Sequence, residues 1–429
     1  MIGARLLRRC AFLLMFTVAP SRLPAGSGQQ EPVSRVALKA GERLLLKPES
    51  GSRQVAICLV ARTQPFPDPD STAAAQAAAQ SMLLSLSARA ASAPVPIYVT
   101  TRRAPTLVTA MLVTTPAGFP AAGRLLCSAL TASSFTASTI HRATEELQQG
   151  RLFRQLNPLR AAVKEGCSRI TGTASPSSAA MQAVTAQSAA RALRRLLPPE
   201  SMAIAVVGDF DPAAAAAEFA HYLEPLNAIA NNALTRSPLD QGQEHNIRSF
   251  GSEAVAVAAT PAPAISSEQY AAFLVLRALL GGGHASRLFL KIRDQLGLGY
   301  RIGAEYQPDR GEALALYVQW RLHGAHPDYV SQPQYVERLL SAVLDMAAST
   351  PPGEAELKRA KAYVLGSLQR SHELASGRAF YLAWYEAAGA GYRLDFDLPA
   401  RIEQVTAGQV QQAARRYFRR RDFVLAVPR

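Results

Sequence analysis

Lysine is nearly missing from this 429-residue chain: only six of its 46 basic residues are lysines, and the rest are arginines. With 32 acidic residues the formal charge is +14. The arginines are scattered, however, so the charge alone does not point to a nucleic-acid partner. The one cluster, Arg415, Arg416, Arg419, Arg420 and Arg421 around Tyr417 and Phe418, has no RNP, zinc-knuckle or helix-turn-helix pattern beside it. A solvated last helix accounts for it, and no nucleic acid is expected. Cysteine is scarce as well. With Cys10 in the N-terminal segment, Cys58, Cys127 and Cys167 allow at most one disulfide and show no metal-ligand spacing. Cys58 alternates with apolar neighbours and belongs in a core. No uninterrupted apolar run reaches the ~20 residues of a membrane-spanning helix. There is no Ser/His/Asp order and no Cys/His pair, and Gly281–Gly283 lacks the Lys-Ser/Thr of a phosphate loop.

What is present is globular: 48% hydrophobic residues against 18% charged ones, in a chain long enough for two domains with a core each. Arg5, Arg8 and Arg9 precede an apolar run from Ala11 to Ala19 and then a Pro/Ser/Gly-rich stretch. That order of segments is a secretory signal, covering residues 1–30 with its linker, and it predicts export across the inner membrane to the periplasm. Val36 to Leu46 reads as a hairpin and Gln54 to Ala61 as a strand. Ser71 to Ala91 is an alanine-rich helix behind an Asp68-Pro69 cap. A strand pair follows over Pro96–Thr114. Helices are expected at 121–132, 138–164 and 178–197, a buried strand at 202–207, and a helix entered through Asp211 as N-cap and Pro212.

A polar, turn-rich stretch over residues 227–248 divides this first domain, 31–226, from a second, 249–429. The second repeats the order: strand 254–259, helix 266–280, a strand pair over 300–306 and 313–321, four helices between 335 and 419, and a closing strand at 423–427. The fold class is α+β, with an antiparallel-rich sheet packed against helices in each half. Ala254–Ala259 is read as an edge strand able to add an extended peptide.

The most informative stretch is Leu279 to Tyr300. A helix ends at Gly281-Gly282-Gly283, and a short helix runs from Ser286, as N-cap, to Gln295. Gly297 and Gly299 then unwind it into a strand opened by Tyr300. Seven residues separate Arg293 from Tyr300, so a guanidinium and a phenol can converge on one carbonyl or oxyanion.

This stretch resembles the second-domain signature of the M16 family of zinc metallopeptidases, the insulinase, pitrilysin and mitochondrial-processing-peptidase group. Further resemblances, in the family's order, are MAIAVVGDFDPAAAAAEFAHYL (202–223), ELKRAKAYVLGSL with SGRAFYLAWYE (356–386), and RIEQVTAGQVQQAARRYF with FVLAV (401–427). The resemblance implies two homologous domains, with Arg293 and Tyr300 binding substrate and polarising the scissile carbonyl. It also requires His-x-x-Glu-His on the first domain's helix, where two imidazoles bind zinc, the glutamate acts as base, and a downstream glutamate completes the site.

That motif is missing. Aligned on Met82-Leu83-Leu84, its positions fall on Ala77, Ala78, Ala79, Gln80 and Ser81, so Ala77 and Ser81 replace the imidazoles and Gln80 the base. None of the seven histidines, 141, 221, 245, 284, 323, 326 and 372, lies on that helix. Glu145 or Glu146 stands for the downstream glutamate and is better read as a helix-surface pair. His323 and His326 have HxxH spacing but no third ligand, and His284 simply follows the turn. The expectation is a chain that holds no zinc and is not catalytic alone. It would be the substrate-binding subunit of a secreted heterodimer whose His-x-x-Glu-His-bearing partner carries the zinc, acting on peptides or unfolded protein. A scaffold homologue and a stand-alone peptide-binding protein are the alternatives.

Overall fold

The computed structural model describes residues 33–39, 41–63, 68–104, 106–132, 134–173, 176–226, 245–249, 253–308, 311–321 and 333–428. All lie in one compact unit, Val33–Arg429. The expected signal segment, most of the expected linker, and His323 with His326 lie outside the described residues.

The first half runs β1 (Ser34–Ala37), β2 (Arg43–Pro48), β3 (Val55–Arg62), α1 (Pro69–Ala91), β4 (Tyr98–Ala104), β5 (Leu107–Thr114), α2 (Phe119–Leu130), α3 (Ala137–Gln155), α4 (Pro158–Thr171), α5 (Ser178–Gln182), α6 (Ala186–Leu196), β6 (Met202–Gly208) and α7 (Pro212–Leu223). The second runs β7 (His245–Ser249), β8 (Glu253–Pro261), α8 (Tyr270–Gly281), β9 (Arg301–Gln307), β10 (Ala313–Arg321), α9 (Pro333–Ser349), α10 (Glu354–Ser371), α11 (Ala375–Ala387), α12 (Leu394–Glu403), α13 (Ala407–Tyr417) and β11 (Asp422–Pro428). The α+β class and the helix-packed, mainly antiparallel sheets are as the sequence predicts.

The strand orders are β1-β2-β6-β3-β5-β4 and β7-β11-β8-β10-β9. Apart from β1 they correspond one to one. The only parallel junctions among the described strands, β2 with β6 and β7 with β11, occupy the same place in each sheet. Two differences from expectation follow. Residues 245–248, assigned to the linker, belong to β7, whose polar sequence carries no strand pattern because it pairs only at an edge. Ala254–Ala259 is no edge: β8 lies between β11 and β10, paired on both sides, so a peptide cannot add there.

Local chemistry breaks two expected helices. Asn157 accepts the Arg160 N–H at 3.1 Å, and Pro158 opens α4, so 138–164 is two helices rather than one. Thr185 and Ser188 form a reciprocal capping box, which restarts the chain at α6. The Asp211-Pro212 cap holds as read, with Asp211 Oδ1 accepting from Ala213 N at 2.8 Å. α12 was not anticipated, because Pro399 sits inside it.

The halves exchange a helix. α11, from the second half, packs on β3 and β6, while α4, from the first, packs on β8, β10 and β11. The strand period of two prepares this. Ala56, Cys58 and Val60 face the core that contains Ala379 and Ala383 of α11. Ile57, Leu59 and Ala61 face the core that contains α1. Small residues let the exchanged helices lie close; a Cβ at Gly166 of α4 would stand 3.0 Å from that of Ala259.

Ion pairs pin both ends of α11. Arg378 donates to both Glu49 carboxylate oxygens at 3.0 and 2.7 Å. The buried Glu386 accepts from Arg35 at 2.8 Å and lies 3.8 Å from Arg43. α4 is pinned in the same way by Arg169 and Asp422 at 2.8 Å. The arginine cluster is engaged within the chain, too. Arg415 donates to the Ala348 carbonyl, Arg420 to that of Arg169, and Arg421 pairs with Asp345.

Candidate functional site

Glycine geometry shapes the 279–300 stretch. α8 stops at Gly281, where a Cβ would collide with the Gly303–Ala304 backbone of β9, so only glycine lets helix and strand cross this closely. Gly283 takes φ +82°. The short helix expected from Ser286 forms but is wound as a π-helix over Phe289–Asp294, a winding found often at functional sites. Ser286 does not cap it; its hydroxyl donates back to the Gly283 carbonyl at 2.7 Å. Gly297 and Gly299, at φ +62° and +69°, turn the chain into β9.

This turn brings Arg293 and Tyr300 together. The Arg293 guanidinium lies over the Phe289 ring, 5.2 Å from its centroid, and donates a long 3.4 Å hydrogen bond to the Tyr300 carbonyl. The Tyr300 backbone is fixed by its N–H to the Gln319 carbonyl at 3.1 Å. Its side chain is 68% exposed, an unusual place for a large ring with no packing role. A cation held by a ring and by the carbonyl of a residue whose phenol is exposed can bind a carbonyl oxygen, and the phenol can donate to an oxyanion.

On α1 the residues do not fit a zinc ion. Ala77 is fully buried in a small apolar cluster with Ala73, Leu147, Ala180 and Met181. Ser81 is fully buried with no hydrogen bond to its hydroxyl. Gln80 Nε2 donates to Glu146 on α3 at 3.1 Å. The fold thus places Glu146 beside Gln80, but a methyl, an amide and one hydroxyl are no zinc donor set. Glu146 also accepts from Arg142, and Glu145 pairs with His141, each one turn away. Among the described residues no three His, Cys, Asp or Glu side chains converge as donors.

His284 packs against Phe289, with ring centroids 4.6 Å apart and the planes tilted by 34°. His372 stacks on Tyr381 and bonds Asp395 at 2.7 Å. Burial lowers the imidazole's proton affinity, but the Asp395 hydrogen bond and charge outweigh it and hold His372 above its ordinary value. Cys58, Cys127 and Cys167 are buried; burial pushes the Cys127 thiol up to about 12 and that of Cys58 further, so both are inert packing groups. The sequence reading missed one site, a cavity of about 300 Å³ between the halves, lined by aromatic residues and Arg277. Its only sequence signal is the aromatic spacing of Phe380-Tyr381 and Trp384-Tyr385.

Residues 183–364 match the family model described as the peptidase M16 inactive domain. No curated protein matches the chain in sequence. Among solved structures, a protease from Helicobacter pylori superposes with TM-score 0.79 at 12% identity, over 93% of this chain and 100% of that one. A peptidase M16 inactive domain from Pseudomonas fluorescens gives TM-score 0.78 at 16% identity, over 93% and 98%. The periplasmic protease PqqL from Escherichia coli gives 0.69 at 14% identity, over all of this chain but 49% of PqqL. The chain has the M16 fold, its residues 183–364 are similar to that family's inactive domain, and the motif positions of α1 carry no zinc donors.

Proposed function

We propose that the chain is the substrate-binding subunit of a two-chain M16 peptidase, exported to the periplasm, and that it presents Arg293 and Tyr300 to a partner bearing His-x-x-Glu-His. The observation that carries this is a division. The α1 positions have lost every zinc donor, while Arg293 and Tyr300 remain side by side, exposed and held on a glycine-shaped turn. A second observation supports it: the chain spans 49% of PqqL, a protease about as long as two chains of this size together. The Arg293 guanidinium donates to a peptide carbonyl, and the Tyr300 phenol donates to the oxygen that gains charge as the partner cleaves the bond. One such donor is worth about 10²–10³ in rate.

The test begins by purifying the tagged chain from its own cells and sequencing what accompanies it. A similar-sized protein containing His-x-x-Glu-His is expected. In the reconstituted pair, Arg293→Ala is expected to lower kcat/KM for peptide cleavage by about 100-fold while the complex still elutes intact. Full activity of that variant would leave a scaffold. A chain that returns only copies of itself would leave a stand-alone peptide binder.

A further inference from the structure

We infer that the cavity between the two halves binds a small aromatic carboxylate, its acid group held by Arg277 and its ring by the aromatic wall. This does not rest on the peptidase-subunit reading. The cavity is about 300 Å³, at the small end of ligand sites, and it admits one ring with a short acid arm rather than an extended peptide. Tyr270 comes from α8, Tyr306 from β9, and Phe380, Trp384 and Tyr385 from α11. Phe380 and Trp384 are stacked at 6.0 Å and 9°, a flat face suited to another ring.

Arg277 sets the sign of the ligand. It lies two turns along α8 from Tyr270, partly buried, and it makes no hydrogen bond or ion pair with any described residue; its Nε is fully buried and unmatched. A guanidinium withdrawn from water without an anion is costly. The lining also holds Arg102 and no carboxylate. The nearby acids are engaged: Glu312 pairs with Arg62 at 2.6 Å and Asp395 with His372 at 2.7 Å. Burial pushes the phenols of Tyr270, Tyr306 and Tyr385 up, so none becomes the missing anion. A free cation, ring-lined walls and no internal counter-ion describe a site for a flat monoanion.

The same chemistry is offered by a free aromatic acid or by the aromatic C-terminus of a peptide. Isothermal titration of the full chain with N-acetylphenylalanine, its amide and N-acetyl-Ala-Ala-Phe tests the inference and separates the sources. Both acids are expected to bind, and the amide at least about tenfold more weakly. A tighter tripeptide assigns the site to peptide ends, and equal affinity assigns it to the free acid. Arg277→Gln is expected to weaken both acids about tenfold or more, with partial recovery in Arg277→Lys. An amide that binds as well as the acid, a folded Arg277→Gln that binds as well as the unsubstituted chain, or no heat from either acid at millimolar concentration overturns the inference. Should Arg277→Gln fail to fold, Ser367→Phe, which fills the cavity from α10, decides: binding that survives it overturns the inference.

Discussion

Removing the Glu386 carboxylate tests whether α11 is held to the other half by charge as well as by packing. Glu386 is 4% exposed. One oxygen accepts from Arg35 and faces Arg43; the other accepts the Tyr392 backbone N–H at 2.9 Å. In Glu386→Ala the Tyr392 N–H loses its partner, at a cost of about 1 kcal/mol. Arg43, 19% exposed, is already pressed by desolvation, with Glu386 the leading opposing charge; stranding it costs about 2 kcal/mol more, below the full penalty of a wholly buried pair. Arg35 is nearly half exposed, and screening reduces its share to about 0.5 kcal/mol. The variant should therefore lose about 3.5 kcal/mol, read as a lower midpoint in urea unfolding followed by far-ultraviolet circular dichroism, with Tm down by roughly 4 °C for a folding unit of this size. Adding Arg43→Met should recover part of the loss, because the stranded charge goes with it. A Glu386→Ala midpoint equal to that of the unsubstituted chain, or a double variant weaker than the single, would refute the reasoning.

Two further predictions concern the described geometry. Because His372 is held above its ordinary value, its pair with Asp395 contributes fully below about pH 6.5 and is lost as pH rises through the folded-state pKa. The stability gap between the unsubstituted chain and Asp395→Asn should thus shrink from pH 6 toward pH 9, and a gap that widens would contradict the assignment. Gly281→Ala should destabilise the chain by about 1–3 kcal/mol, since its Cβ meets the β9 backbone; thermal unfolding showing no change would mean that α8 and β9 can separate freely.

What the sequence disclosed was mostly local. Asp211-Pro212 announces its helix because both residues act on backbone groups within one turn. Gly297 and Gly299 announce the bend that places Tyr300 beside Arg293. The missing imidazoles at Ala77 and Ser81 needed only the register of one helix. What it hid depends on partners far along the chain. β8 reads as an edge because its neighbour β11 comes from the far end of the sequence. Nothing near Arg169 or Glu386 reveals that α4 and α11 each serve the other half's sheet. The Arg277 cavity assembles from α8, β9, α10 and α11, so no single window shows it.

The helix exchange also governs how the chain can be made. Synthesis completes the first sheet's six strands at Gly208, yet the helix that covers one face of it begins at Ala375. At roughly 5–20 residues per second, that face waits on the order of 10–30 s for its cover, with Ala56, Cys58, Val60 and Ala205 open to any other apolar surface. Neither half is a folding unit by itself, and a fragment ending between them would be a sticky half-sandwich. The boundary visible in the sequence is therefore no place to cut, and until α11 emerges the nascent chain is a substrate for whatever holds unfinished proteins in solution.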